Sequence, residues 1–133
     1  MEKWTRITIL ITTCLVLNQY TALGDRNRDH QLVPELSKVP PTARDRTNPY
    51  AGDQDAYLAG KKLFQRHCSG CHGKDATGGN NAPTLHSPTI REAAPGTLFW
   101  FLKNGNLKKG MPSWARLPEQ QLWQIVTFLK SKD

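Results

Sequence analysis

The run Cys68-Ser69-Gly70-Cys71-His72 sets two thiols three positions apart and places an imidazole directly after the second. On one tight turn each thiol can add to one vinyl group of a haem, and the next side chain then reaches the iron from the same side of the ring. One short segment thus holds the cofactor and supplies an axial ligand. Gly70 and Gly73 let the backbone run close to the ring without a side chain in the way. Two other chemistries use cysteines at this spacing. Structural zinc wants a second ligand pair, and beyond His67, His72, His86 and His30 the chain offers no second close pair of cysteines. A thioredoxin-like site would sit in a βαβ pattern, and no such pattern is present.

Working outward, a second axial ligand belongs on a distant segment that closes over the opposite haem face. Outside the N-terminal residue the chain has one methionine, Met111, 39 positions after His72, within Lys109-Gly110-Met111-Pro112-Ser113-Trp114. A lone methionine is more often core filler. Here glycine before it and proline after it make a poor helix interior and a good rigid loop, which suits a ligand.

Three amphipathic segments surround these residues. Asp53 to His67 begins with Asp53 and Asp55, ends with Lys61, Lys62 and Arg66, and spaces Ala56, Gly60, Leu63 and Phe64 at helical steps. Gly60 costs a helix about 1 kcal/mol relative to alanine, which points to a close helix crossing there. After Leu117-Pro118-Glu119, the residues Leu122, Ile125, Val126 and Leu129 recur at i, i+3, i+4 and i+7, with Trp123 and Phe128 widening the stripe. One of those two aromatics is expected to cover Gly60. A third helix is expected from Thr97 to Asn104, stopped by Gly105, and no regular element over Gly73 to Ser87.

The flanks read differently. Met1 to Arg6 is basic, Ile7 to Leu17 is apolar apart from threonines and Cys14, and Ala22-Leu23-Gly24 offers small residues, which together form a secretory signal pattern over 1–24. If it is not cleaved, it becomes a membrane tether. The body is expected outside the cytoplasm, periplasmic or exported, soluble or weakly membrane-associated. From 25 to 52, Pro34, Pro40, Pro41 and Pro49 alternate with arginines and no helical or strand period survives, so this stretch reads as an extension or linker. The folded region, 53–133, is close to the size of roughly 70 to 80 residues at which a domain needs a staple, and covalent haem would supply one.

The formal net charge of +7 falls only to +6 when Lys3, Arg6 and Glu2 leave with the signal segment. Such a balance is compatible with nucleic acid, anionic membranes or acidic proteins. No nucleic-acid-binding motif accompanies it, so no nucleic acid is expected as a partner. Lys61, Lys62, Arg66, Lys103, Lys108, Lys109 and Arg116 can form a positive rim that steers the protein to an acidic partner.

From about Asp53 to Ser131 the sequence resembles the monohaem class I cytochrome c family, on the strength of the attachment motif, the methionine loop and the helix pattern. The resemblance implies an all-α cytochrome c fold: three to four short helices and loops wrapped around one covalent haem c, with terminal helices crossing near Gly60 and Phe64. It implies His72 and Met111 as axial ligands. It also implies that Pro83, in Asn81-Ala82-Pro83-Thr84-Leu85, accepts the proton on the other nitrogen of His72 through its carbonyl, with Leu85 in the same cofactor-binding segment. The expected function is a periplasmic carrier of single electrons in a respiratory chain, without a catalytic residue or small-molecule substrate. Leu98-Phe99-Trp100 with Gly105, and then Gly110-Met111-Pro112-Ser113-Trp114, resemble short bacterial cytochromes serving periplasmic dehydrogenases or terminal oxidases. Two other readings stand beside this one: a haem sensor or peroxidase-like enzyme with a displaceable sixth ligand, and a tethered electron-transfer subunit of a dehydrogenase or oxidase complex.

Overall fold

The computed structural model describes residues 32–79 and 82–131. The expected signal segment, Cys14 and His30 therefore lie outside the described residues. After helical residues at 32–36, the described chain continues through α1 (Pro41–Arg44), α2 (Gln54–His67), α3 (Ser69–His72), α4 (Pro88–Glu92), α5 (Pro95–Asn104) and α6 (Glu119–Lys130), with a 3-10 turn at Leu107–Lys109. Among the described residues there is no strand, and the only sheet-like feature is an isolated bridge between Asn106 and Met111. No helix of the described residues is long and apolar enough to cross a membrane.

Local chemistry sets the helix ends. The Asp53 carboxylate accepts from the Ala56 amide at 2.9 Å and so caps α2 with the charge an N-terminus favours. Pro118 stands before the first residue of α6, and Gly105 closes α5 at φ +70, a conformation that L side chains rarely adopt. Two helices were not expected from periodicity. α1 and α4 span four and five residues, too few for a helical period to register. α4 nonetheless carries a local signal: Ser87 accepts from the Ile90 amide and Pro88 follows it at the first helical position.

The terminal helices α2 and α6 cross at Gly60. A Cβ built on Gly60 would lie 1.9 Å from the Gln124 carbonyl oxygen and 3.1 Å from the Ile125 nitrogen. Backbone meets backbone there, which leaves no room for the aromatic cover expected from Trp123 or Phe128. Those rings work on either side of the crossing instead: Phe128 tilts against Phe64 at 5.2 Å and Tyr57 at 5.8 Å, whereas Trp123 stacks on Phe99 of α5 at 4.2 Å. Phe64 and Val126 are fully buried, and each such side chain contributes about 1.5–3 kcal/mol relative to exposure.

The stretch 32–52 is more ordered than its prolines suggest. Residues 32–36 are helical, Val39 is buried at 1% exposure, and the α1 turn lays its carbonyls over α5. A Cβ on Gly96 would lie 2.2 Å from the Ala43 oxygen and 2.7 Å from that of Arg44. Arg46 reaches over the Phe99 ring at 4.3 Å and bonds Glu119 at 3.0 Å, while Asn48 donates to the Thr127 hydroxyl at 2.9 Å. In sequence the stretch reads as an extension or linker without a helical or strand period; its described part lies packed on the helices, and isolated anchors such as Val39 and Arg46 leave no periodic trace.

Candidate haem-binding site

Cys68 closes α2, its amide bonded to the Phe64 carbonyl at 2.8 Å, and opens the single turn α3, its carbonyl accepting from the amides of Cys71 at 3.2 Å and His72 at 3.0 Å. The two thiols and the imidazole therefore share one turn whose backbone is already hydrogen-bonded. Cys68 is half-buried and Cys71 exposed, and neither is in a disulfide. As a free thiol, Cys68 is pushed up to about 11 by burial and, secondarily, by Cys71 beside it.

His72 is oriented from its far side. Its Nδ1 lies 3.3 Å from the Pro83 carbonyl oxygen, which can only accept, so Nδ1 carries the proton and Nε2 keeps its lone pair. Burial, against the opposing pull of the Pro83 bond, holds the His72 pKa below its ordinary value and so favours the neutral ring. The intervening loop is tied down by the Gly78 amide on the His72 carbonyl at 2.8 Å and by the Leu85 amide on Ala76 at 2.8 Å. Leu85 itself is half-buried and packs against both halves of the core.

Met111 sits on a loop fastened at several points. Its backbone exchanges two hydrogen bonds with Asn106, at 2.8 and 3.0 Å. Beyond it the Ser113 hydroxyl donates to the Lys103 carbonyl at 2.6 Å, and the Trp114 amide donates to Leu102 at 2.9 Å. At Gly105 a Cβ would lie 2.6 Å from the Pro112 carbonyl carbon, so the loop folds flat against the end of α5. Met111 is half-buried against the main core together with Trp114. Trp114 in turn meets His67, the residue before the attachment motif, with ring centroids 5.2 Å apart.

This donor set fits a covalently attached haem: two unpaired thiols on one turn, an imidazole whose Nε2 is left free by the Pro83 bond, and a thioether on a rigid loop. The family model described as cytochrome c oxidase, cbb3-type, subunit III matches residues 55–129, which include every one of these positions. The chain belongs to that family, whose domain is a class I-like monohaem c-type cytochrome. It accordingly carries covalent haem c, and its chemistry is haem-based electron transfer. The cytochrome is also similar to Photosystem II extrinsic protein V of Thermosynechococcus vestitus and of Thermostichus vulcanus, in each case 29% identical over 130 residues, covering 94% of this chain and 72% of the relative. Among solved structures it is similar to cytochrome cL of the marine methylotroph Methylophaga aminisulfidivorans, at 29% identity and a TM-score of 0.54 over 62% of this chain. The cytochrome spans about 57% of that chain.

Pattern reading missed how the methionine loop is held. Asn106 gives no signal; Gly105 reads as a helix stop, and Ser113 and Trp114 stand beside Met111 in the sequence without announcing their contacts to the Lys103 and Leu102 carbonyls. Nor do the seven basic residues form a uniform rim. All are exposed, but Lys103 is paired with Glu119 at 2.7 Å and Arg116 lies over Trp114 at 4.4 Å.

Proposed function

We propose that this cytochrome is an exported, periplasmic carrier of single electrons, with its haem joined to Cys68 and Cys71 and ligated by His72 and Met111. The observation that carries the reading is the Nδ1 bond from His72 to Pro83, which presents Nε2 as a fixed ligand. When bound, the haem supplies a reversible one-electron couple, raised in potential by Met/His ligation. The chain's part is to keep both ligands in place, so that electron transfer costs little reorganisation and no site opens for substrate. Pro83 fixes the imidazole plane. The clasped loop at Met111 limits how far the thioether can move, and its soft sulfur favours the reduced state.

The partner is an acidic redox protein, a dehydrogenase or oxidase component, met through exposed cations such as Lys108 and Lys109. Flanking them, Leu107 is 78% exposed and offers an apolar contact within a basic rim, an arrangement suited to fast association rather than tight binding. The extrinsic photosystem protein among its relatives also supports attachment to a larger redox complex as a second reading.

The test uses the reduced holoprotein at neutral pH. A six-coordinate carrier resists carbon monoxide, and Met111→Ala binds it rapidly. Rapid binding by the unaltered protein would instead establish the sensor or peroxidase-like reading.

A further inference from the structure

We propose that Glu35 is a positioning residue for Met111, acting through Asn106; this rests on the reading of Met111 as an axial ligand. Asn106 is the residue whose backbone exchanges both bonds of the bridge with Met111, at 2.8 and 3.0 Å. Its side-chain amide donates to Glu35 at 3.1 Å. The second Glu35 oxygen accepts from Lys38 at 2.9 Å, so both carboxylate oxygens are engaged and the side chain, only 22% exposed, is fixed at each end.

The position of this contact gives it a role the rest of the loop lacks. Ser113 and Trp114 fasten the chain after Met111. Glu35 fastens it before Met111, and does so from a segment 71 residues away in sequence and outside the matched family domain of 55–129. That segment is itself anchored, by buried Val39 and by the α1 carbonyls seated on Gly96. The bond to a carboxylate is stronger than one between neutral groups. The Glu35 contact thus braces the axial-ligand loop, and losing it frees the thioether to leave the iron more often.

The experiment follows imidazole binding to the full-length ferric holoprotein by stopped flow, since imidazole enters as the methionine leaves. Glu35→Ala and Asn106→Ala are expected to bind about 3- to 10-fold faster than the unaltered protein, the equivalent of one hydrogen bond. The double variant should be no faster than Asn106→Ala alone, and Glu35→Gln, which can still accept from Asn106, should fall between. Glu119→Gln, which loosens the Arg46 end of the same stretch, should lower the Tm without changing the imidazole rate. Glu35→Ala binding imidazole at the unaltered rate while losing as much Tm as Glu119→Gln would reduce Glu35 to a general stabilising contact and overturn the proposal. Met111→Ala sets the fastest rate. If the unaltered protein already matches it, the methionine reading fails and the proposal falls with it, a result distinct from a failure at Glu35 alone.

Discussion

Gly60 and Gln124 touch through their backbones: the space where a Cβ of residue 60 would sit is within 1.9 Å of the Gln124 carbonyl oxygen. The α2–α6 crossing that frames the attachment motif therefore depends on the absence of one methyl group. Gly60→Ala must push the helices apart or bend one of them, a cost of about 3 kcal/mol, since the obstruction is main chain and cannot rotate away. A fall in Tm of about 12–24 °C is expected for the ferric holoprotein, followed by circular dichroism. An unchanged Tm would mean that the helices do not cross at this distance.

Gly96 bears the same relation to the N-terminal stretch, whose Ala43 and Arg44 carbonyls lie over it at 2.2 and 2.7 Å from a built Cβ. Gly96→Ala should lift that stretch from α5 while leaving the haem attached. Tryptic cleavage after Arg44 and Arg46 should then outpace cleavage of the unaltered protein severalfold. Equal cleavage rates would show that α1 does not depend on this contact.

Glu119 links the stretch to α5 and α6 through Arg46 and Lys103, and their hydrogen bonds, Lys103 first, hold its carboxyl below the usual range. A carboxylate with a depressed folded pKa binds its proton more readily when unfolded. Its stabilisation is therefore present above the group's ordinary value of 4.5 and lost as pH falls through the lower folded pKa. At neutral pH, Glu119→Gln should melt a few degrees below the unaltered protein, as expected for exposed pairs. That gap should close well below about pH 4.5. A gap that persists into strong acid would assign the loss to packing.

Lys108 and Lys109 stand beside the exposed Leu107 on the loop that carries Met111. If this face meets an acidic partner, raising ionic strength should slow electron transfer to that partner, and Lys108→Glu with Lys109→Glu should flatten the dependence. Leu107→Ser should lower the rate while leaving the salt dependence in place. A rate insensitive to salt from the start would remove the steering role.

Much of the site was legible because its chemistry is local. Two thiols and an imidazole on one turn need only five consecutive residues, and the amphipathic helices announced themselves through Leu122, Ile125 and Phe64 at regular steps. Gly60 could be read as a crossing point because glycine in a strongly helical run is costly without a reason. What covers it could not, since the partner is the main chain at Gln124 and main chain has no sequence signature. The stretch from 32 to 52 was read as irregular for a related reason: its anchors, Val39, Arg46 and Asn48, are single residues spaced by prolines.

The sequence by itself determined the chemistry of the cofactor and the helices around the attachment motif, because these follow from residue type and spacing along one segment, and the all-α class came with the family those residues resemble. Folding brought the Pro83 carbonyl, which the family resemblance had pointed to, to 3.3 Å from His72 Nδ1, and tertiary structure alone decided that Asn106 clasps Met111 and that Glu35 reaches Asn106 from 71 residues away. Such contacts are made by carbonyls, amides and single side chains brought together by folding, and no period or motif along the chain encodes them.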